Sequence, residues 1–265
     1  MTKTPTDWQL PPGVSRALWE YLRDPHIARA YDASIATSPL AQYDEQVLVE
    51  RWREAGRLVD LGAGTGRLAI RFAGLGFEVT AVDLSAEMLA VLATKAQAAG
   101  VDVAGVAANL CDLQPLEDSR FSYALLMFST LGMIAGTPQR LQALREAHRV
   151  LEPGGRLAVH VHSYWYNLFN PHGRTWLLTD FAGWLVRRHA GGDRVMSDRG
   201  IPHMSMHAFT RREICRLLRQ AGFVVREVLP LNATASGPLA VPHLFAHIRP
   251  NGWIILAERP PASRR

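Results

Sequence analysis

The stretch VDLGAGTGRL, Val59 to Leu68, sets three glycines at alternate positions directly after a short apolar run. A strand ending this way must turn tightly and bring its backbone close to a partner, since glycine adopts left-handed conformations without steric cost. The dinucleotide fingerprint G-x-G-x-x-G fits Gly62 and Gly64 but meets Arg67 at its sixth position; the third glycine, Gly66, comes one residue early. The P-loop fails as well, because no Gly-Lys-Ser/Thr follows. What remains is G-x-G-x-G on a strand-to-helix turn, able to approach a ligand without cradling a phosphate.

Outward from this turn, strand and helix signals alternate. RLVDL (57–61), FEVTAV (77–82), VAGVAA (103–108), YALLMF (123–128) and RLAVHV (156–161) read as strands. Met88, Leu89, Leu92 and Ala96 share one helical face after Ser85. Thr137-Pro138 opens a second helix, carried by Leu141, Leu144 and Leu151 and stopped at Pro153-Gly154-Gly155. The alternation predicts a doubly wound α/β, Rossmann-like fold with a mainly parallel sheet and ligands at the strands' C-terminal edge. Residues 1–55 are expected to form a helical N-terminal cover, with Leu18, Leu22, Val47, Leu48 and Trp52 on packed faces. The main domain is read as 56–265, interrupted by an aromatic-rich insertion at 163–208 that shows no clean period. A helix over FTRREICRLLRQAGF and two strands, FVVREVL (223–229) and WIILAE (253–258), close the chain.

Polar residues stand where the next two strands end. Asp83 closes the second strand, where a carboxylate can accept two hydrogen bonds from a ribose diol. Asn109 follows the third, where its amide can accept from an adenine amino group. Together VDLGAGTGRL, VTAVDLSAEML, ANLCDLQPL and REAHRVLEPGGRLAVHV resemble a class I S-adenosylmethionine-dependent methyltransferase, in order and spacing from about Arg57 to Val161. The resemblance implies a seven-stranded sheet with its last strand inserted antiparallel, and S-adenosyl-L-methionine as cofactor. It also implies roles: Gly62, Gly64 and Gly66 against the methionine moiety, Asp60 supporting the turn, Asp83 on the ribose, Asn109 and Leu110 at the adenine. Ala63, Leu84 and Phe128 complete the candidate contacts, and Tyr31 in ARAYDAS resembles the aromatic residue many members place over the cofactor. Asn109 departs from the family's usual acidic residue, and Ser122 from the Asp that often enters the fourth strand.

Composition bounds the rest. The chain has 265 residues, 48% of them hydrophobic, and lone cysteines at 111 and 215, so neither a disulfide framework nor a cysteine zinc site is expected. The N-terminus has no apolar leader and no run approaches a membrane span, so a cytoplasmic protein without a membrane partner is expected. All but Lys3 and Lys95 of the 29 basic residues are arginines, and eight arginines from Arg187 to Arg219 face three acids. That segment is either a solvated surface or an anion-attracting one.

The acceptor is less legible. No Asp/Asn-Pro-Pro-aromatic run follows the fourth strand and neither cysteine has a preceding proline, which argues against DNA-base methylation. His160 and His162 lie two apart on a strand, hence on one face, and His203 and His207 flank Met204-Ser205-Met206. Any of these, with His162, His160 and His207 foremost, could act as general base; they could equally be packed structural residues. No metal site is expected. Tyr164, Trp165, Tyr166, Phe169, Trp176 and Trp184 could wall an acceptor pocket or form the insertion's own core. The favoured reading is methyl transfer to oxygen or nitrogen of a small aromatic or hydrophobic molecule. A tRNA methyltransferase is the alternative, since PHMSMHAFTRREICRLLRQAGF faintly resembles a segment of some tRNA wobble-uridine methyltransferases. A non-catalytic cofactor-binding domain is the third.

Overall fold

The computed structural model describes residues 6–35, 37–187, 191–198 and 201–261; Arg188, Arg199 and the Trp184 side chain lie outside the described residues. Three helices come first: α1 (Arg16–Arg23), α2 (Pro25–Ile35) and α3 (Pro39–Arg51). Ser15 and Ser38 start α1 and α3 by accepting hydrogen bonds from Leu18 N and Ala41 N, satisfying donors that the first helical turn leaves free.

The alternating part follows as β1 (Arg57–Leu61), α4 (Arg67–Ala73), β2 (Glu78–Asp83), α5 (Ala86–Ala99), β3 (Val103–Ala107), β4 (Phe121–Leu126), α6 (Thr130–Met133), α7 (Thr137–Val150) and β5 (Leu151–His162). After the insertion come α9 (Arg211–Gln220), β8 (Val224–Pro230) and β9 (Gly252–Glu258). The seven strands lie in the order β3-β2-β1-β4-β5-β9-β8. β1 to β5 pair in parallel, while β9 lies between β5 and β8 and runs antiparallel to both. This is the doubly wound topology expected, with the inserted antiparallel strand. Leu58 to Leu61 are all buried because helices cover both faces, so β1 is apolar on both sides apart from the buried Asp60. One core packs α7 and α9 on the sheet through Leu144, Phe209 and Leu217; the other packs α3 and α4 through Leu48, Trp52 and Phe72. The Pro-Gly-Gly turn does not separate helix from strand: α7 passes straight into β5, and Gly154 takes its positive φ of 87° inside that strand.

The insertion is more regular than its sequence implies. It holds a 3-10 helix (Trp165–Phe169), α8 (Pro171–Arg187) and an antiparallel hairpin of β6 (Asp193–Asp198) and β7 (Ile201–His207). The hairpin packs on α1, and Met204 joins Leu18, Tyr21 and Ile27 in a small third core. Cover and insertion therefore meet over the sheet edge.

Candidate active site

The glycine turn gives each residue a different task. Gly62, Gly64 and Gly66 all have positive φ, at 79°, 55° and 82°. A Cβ on Gly62 would lie 2.4 Å from Thr130 Cγ2, and one on Gly66 would lie 2.5 Å from Leu92 Cγ. Those two glycines are required by packing. Of the three, Gly64 alone has room where a Cβ would stand, its nearest neighbour being Tyr31 Cε1 at 3.6 Å. Arg67, the misfit to the dinucleotide pattern, turns away to α3, donating to both carboxylate oxygens of buried Asp44 and to Ala41 O.

Asp83 ends β2 directly beneath this turn. Its Oδ2 accepts from Gly64 N at 2.8 Å and its Oδ1 from Ser85 N at 2.8 Å. Each oxygen keeps a further lone pair, so the carboxylate is fixed yet still able to accept. Burial raises its pKa, against the lowering by the Ser85, Gly64 and Leu84 backbone amides. Asp60, one turn deeper, is pushed up to about 7 by burial, with Arg67 opposing and Asp83 adding to the rise.

A cavity of about 810 Å³, its open mouth included, lies above these groups. Its floor is Gly62, Gly64, Asp83, Leu84, Asn109 and Leu110, the strand-end residues the sequence singled out. Its roof comes from the N-terminal cover: Val14, Leu18, Tyr21, Leu22 and Tyr31. Asp60, Ala63, Thr65 and Arg67 instead line an adjoining recess that shares Tyr31, Gly62 and Phe128 with the main cavity. Phe128 and the following Ser129 both hold left-handed backbone, with φ of 53° and 64°. Two such non-glycine residues in succession are strained, and their place at the end of β4 beside the cavity is where strain serves a site.

Asn109 is used differently from the sequence expectation. Its Nδ2 donates to Pro12 O and its Oδ1 accepts from Cys111 N, so the amide ties the cover to the β3 turn. One lone pair on Oδ1 remains for an adenine amine.

Sequence reasoning missed the latch on the cover. Thr65 Oγ1, inside the glycine turn, donates to Asp32 Oδ1 at 2.5 Å, and Lys95 Nζ lies 2.7 Å from Asp32 Oδ2. Asp32 immediately follows Tyr31, so α2 is fastened where its aromatic side chain overlies Gly64. Only proximity in the fold reveals this, because residues 32, 65 and 95 share no local pattern.

Residues 58–155 match the family model for a methyltransferase domain. That match covers the glycine turn, Asp83, Asn109 and strands β1 to β4. Over that segment the chain is similar to class I S-adenosylmethionine-dependent methyltransferases. It is 34% identical, over 50% of its length and 51% of the relative's, to a Geobacillus sp. protein whose name describes a methyltransferase. It is 36% identical to the demethylmenaquinone methyltransferase of Thermus thermophilus, over 39% of this chain and 46% of that one. The chain thus spans about half the length of the curated relatives it matches. Among solved structures it is similar to the 1,6-didemethyltoxoflavin-N1-methyltransferase of Burkholderia thailandensis, with a TM-score of 0.61 and 21% identity over 95% of this chain and 93% of that one. At that identity the likeness is one of fold.

The histidines do not behave alike. His207 is fully buried, with Nδ1 2.8 Å from Asp193 Oδ1 and Nε2 2.9 Å from Glu213 Oε1. Burial alone would lower its pKa, but the two carboxylates outweigh burial and raise it. With both ring nitrogens engaged, His207 has none left for a substrate proton; its role is to clamp the hairpin to α9. His160 is fully buried too, and its pKa lies well below the ordinary value through burial, then through His162 and Arg67. Its ring nitrogens have no hydrogen-bond partner among the described residues. His162 is partly exposed at the end of β5, edge-on to His160 with ring centres 5.1 Å apart, and burial lowers its pKa. His203, at the exposed hairpin, has a left-handed backbone with φ of 62°. Among the described residues no histidine lines the cavity, and no group of three or more His, Cys, Asp or Glu is placed to hold a metal ion.

Proposed function

We propose that this chain transfers a methyl group from S-adenosylmethionine to a small, apolar, ring-bearing molecule. The observation that carries the reading is Asp83, a buried carboxylate fixed by Gly64 N and Ser85 N at the floor of a cavity beside an open glycine turn. These residues fit the cofactor: Asp83 has lone pairs for the ribose hydroxyls, Asn109 and Leu110 border the adenine space, and the backbone of Gly62 and Gly64 lets a methionine tail approach. When bound, the cofactor supplies a methyl group on a positive sulfur, open to in-line displacement.

The chain's own contribution is positioning and exclusion of water. Val14, Leu18, Leu22, Met133 and Ile134 give the cavity apolar walls, and Tyr31 closes it over Gly64. With no imidazole on the cavity wall among the described residues, the acceptor is one that is nucleophilic near neutrality without a strong base: an amine, an acidic phenol or an electron-rich ring carbon. The names of the Thermus and Burkholderia enzymes, which concern a menaquinone precursor and a toxoflavin precursor, agree with a ring-bearing acceptor.

Calorimetry with S-adenosylhomocysteine tests the site. Asp83→Ala removes two charge-assisted bonds and should weaken binding by roughly 100-fold. Unchanged affinity in a folded variant would sink the assignment. A labelled-methyl screen of ring-bearing acceptors then tests turnover, with S-adenosylhomocysteine forming only when an acceptor is present; cofactor binding without transfer to any acceptor would favour a binding domain. Total tRNA belongs in the same screen, where transfer to tRNA and salt-sensitive affinity would replace the small-molecule reading.

A further inference from the structure

The aromatic-rich insertion is not consumed by the cofactor cavity. α8 buries Gly173, Leu177 and Asp180 and turns Leu178, Leu185 and Val186 outward, with exposures of 72%, 66% and 79%. Beside it, the 3-10 helix exposes Trp165, Leu168 and Phe169. Across a shallow apolar groove lined by Tyr166, Phe169, Leu239 and Ala240, the segment joining β8 to β9 exposes Val241, Leu244 and Phe245. Ten of the fourteen large apolar side chains exposed among the described residues therefore belong to these three neighbouring segments, more than the scattered apolar surface of a soluble monomer.

That face is built rather than loose. Val241 and Phe245 hold left-handed backbone, with φ of 50° each. The Arg249 guanidinium holds the segment there, donating to Ala240 O, Val241 O and Leu244 O. Tyr166 Oη donates to Ala233 O, joining the 3-10 helix to the same segment.

Charge is as uneven as hydropathy. Residues 164–187 contain one acid, Asp180, and residues 231–251 contain none. Asp180 is buried and accepts from Tyr164 Oη and Gly192 N. The basic groups are sparse and lie among the apolar ones: Arg174, His172, His243 and His247, all exposed. The face also lies at the C-terminal edge of the parallel strands, since Gly252 after this segment pairs with His162 at the end of β5. Asp83 ends β2 at that same edge.

We propose that this face docks the protein peripherally on an anionic lipid surface, with Leu178, Leu185, Val186, Leu244 and Phe245 entering the headgroup–acyl boundary and Trp165 at the interface. An apolar surface with cations among it and no exposed acid in residues 164–187 and 231–251 suits an interface that is apolar within and anionic at its surface, and interfacial tryptophan is a usual companion of such an element. Self-association is disfavoured by the same charges, since a second copy would bring Arg174 to a face with no exposed carboxylate to receive it. The proposal departs from the expectation of no membrane partner, while among the described residues no helix is long and apolar enough to cross a membrane; surface docking needs none.

The full chain is sedimented with vesicles of phosphatidylglycerol and phosphatidylcholine, and with phosphatidylcholine alone. Binding is expected on the anionic vesicles, at least about 10-fold weaker on the neutral ones. The double variants Leu244→Ser/Phe245→Ser and Leu178→Ser/Leu185→Ser should each lose at least about 10-fold in vesicle affinity. Both keep charge, melting temperature and S-adenosylhomocysteine affinity, because none of these side chains touches the cavity. Brominated acyl chains should quench tryptophan fluorescence in the parent protein and less in Trp165→Phe. The proposal is overturned if the parent protein stays in the supernatant at low salt. It is equally overturned if the serine variants bind as well as the parent, which would reduce the binding to arginine electrostatics. A dimer dissociated by the same substitutions, or capture by a protein partner without lipid affinity, would also overturn it.

Discussion

At the scale of single residues, the glycine turn separates folding from binding. An alanine at Gly62 must hold φ near 79° and drive its Cβ into Thr130, so Gly62→Ala should destabilise the protein by about 2–3 kcal/mol. Gly64→Ala meets only ordinary contact with Tyr31 and should cost about 1 kcal/mol for its left-handed backbone. Its methyl, however, enters the space the methionine tail would occupy, so cofactor affinity should fall more than in Gly62→Ala. Thermal melting and calorimetry on the two variants separate the effects, and equal losses in both would contradict the division. The sequence revealed that the turn needed glycines and that Asp83 belonged with them. It did not reveal which glycine faced the ligand, because that depends on Thr130 and Leu92, brought near from elsewhere in the chain. The histidines show the same limit: spacing correctly put His160 and His162 on one face, but only packing shows that neither lines the cavity.

Among the elements, strands and helices that bury one regular face were readable, and those that do not were not. β1 and α9 announce themselves by an apolar run and an amphipathic repeat. α8 escaped because its outward face is apolar too, which erases the period that marks a helix. The β6–β7 hairpin escaped because its anchor is polar: Asp193 and His207 from the hairpin meet Arg140 of α7 and Glu213 of α9. Glu213 also caps α9 with Thr210, so the clamp and the helix start share one carboxylate. The clamp has a definite pH dependence. The folded His207 has a pKa raised above its ordinary value of 6.5, so its stabilisation is complete below that value and fades as pH rises through the folded pKa. Asp193, held low by His207 and Arg140 despite burial, stays ionised across this window. His207→Gln should therefore cost about 2 kcal/mol near pH 5.5, with a smaller penalty near pH 9. Urea unfolding of both proteins at the two pH values checks this; a penalty that grows with pH would mean that the histidine folds neutral.

For the whole molecule, the N-terminal cover is the part whose attachment governs access. It roofs the cavity with Val14, Leu18, Tyr21, Leu22 and Tyr31, so a cofactor reaching Asp83 must pass it. The core of α1 and α2 is a small cluster whose buried partners from elsewhere among the described residues are Met88 and Met204, separate from the two cores that hold the sheet and α3. Segments with so little shared burial open locally at a fraction of the global unfolding free energy. Over the glycine turn it is fastened by Asp32, through Thr65 Oγ1 and Lys95 Nζ, beside the bonds that Asn109 Nδ2 and Ser85 Oγ donate to Pro12 O and Leu22 O. Asp32→Ala removes both bonds without touching either main core, so its melting temperature should stay within about 2 °C of the parent. The fraction of molecules with the cover closed should fall, and apparent affinity falls with it, since a site competent only part of the time binds in proportion to that part. The ion pair is partly exposed, so a loss of about 3–10-fold in S-adenosylhomocysteine affinity is expected rather than abolition. Limited proteolysis gives the independent readout. Cleavage within residues 6–35 should be faster in Asp32→Ala than in the parent, and saturating S-adenosylhomocysteine should slow it in both by closing the cover. Equal cleavage rates with unchanged affinity would mean that the apolar contacts of α1 and α2, with the Asn109 and Ser85 bonds, fix the cover, and that Asp32 merely decorates a roof already shut.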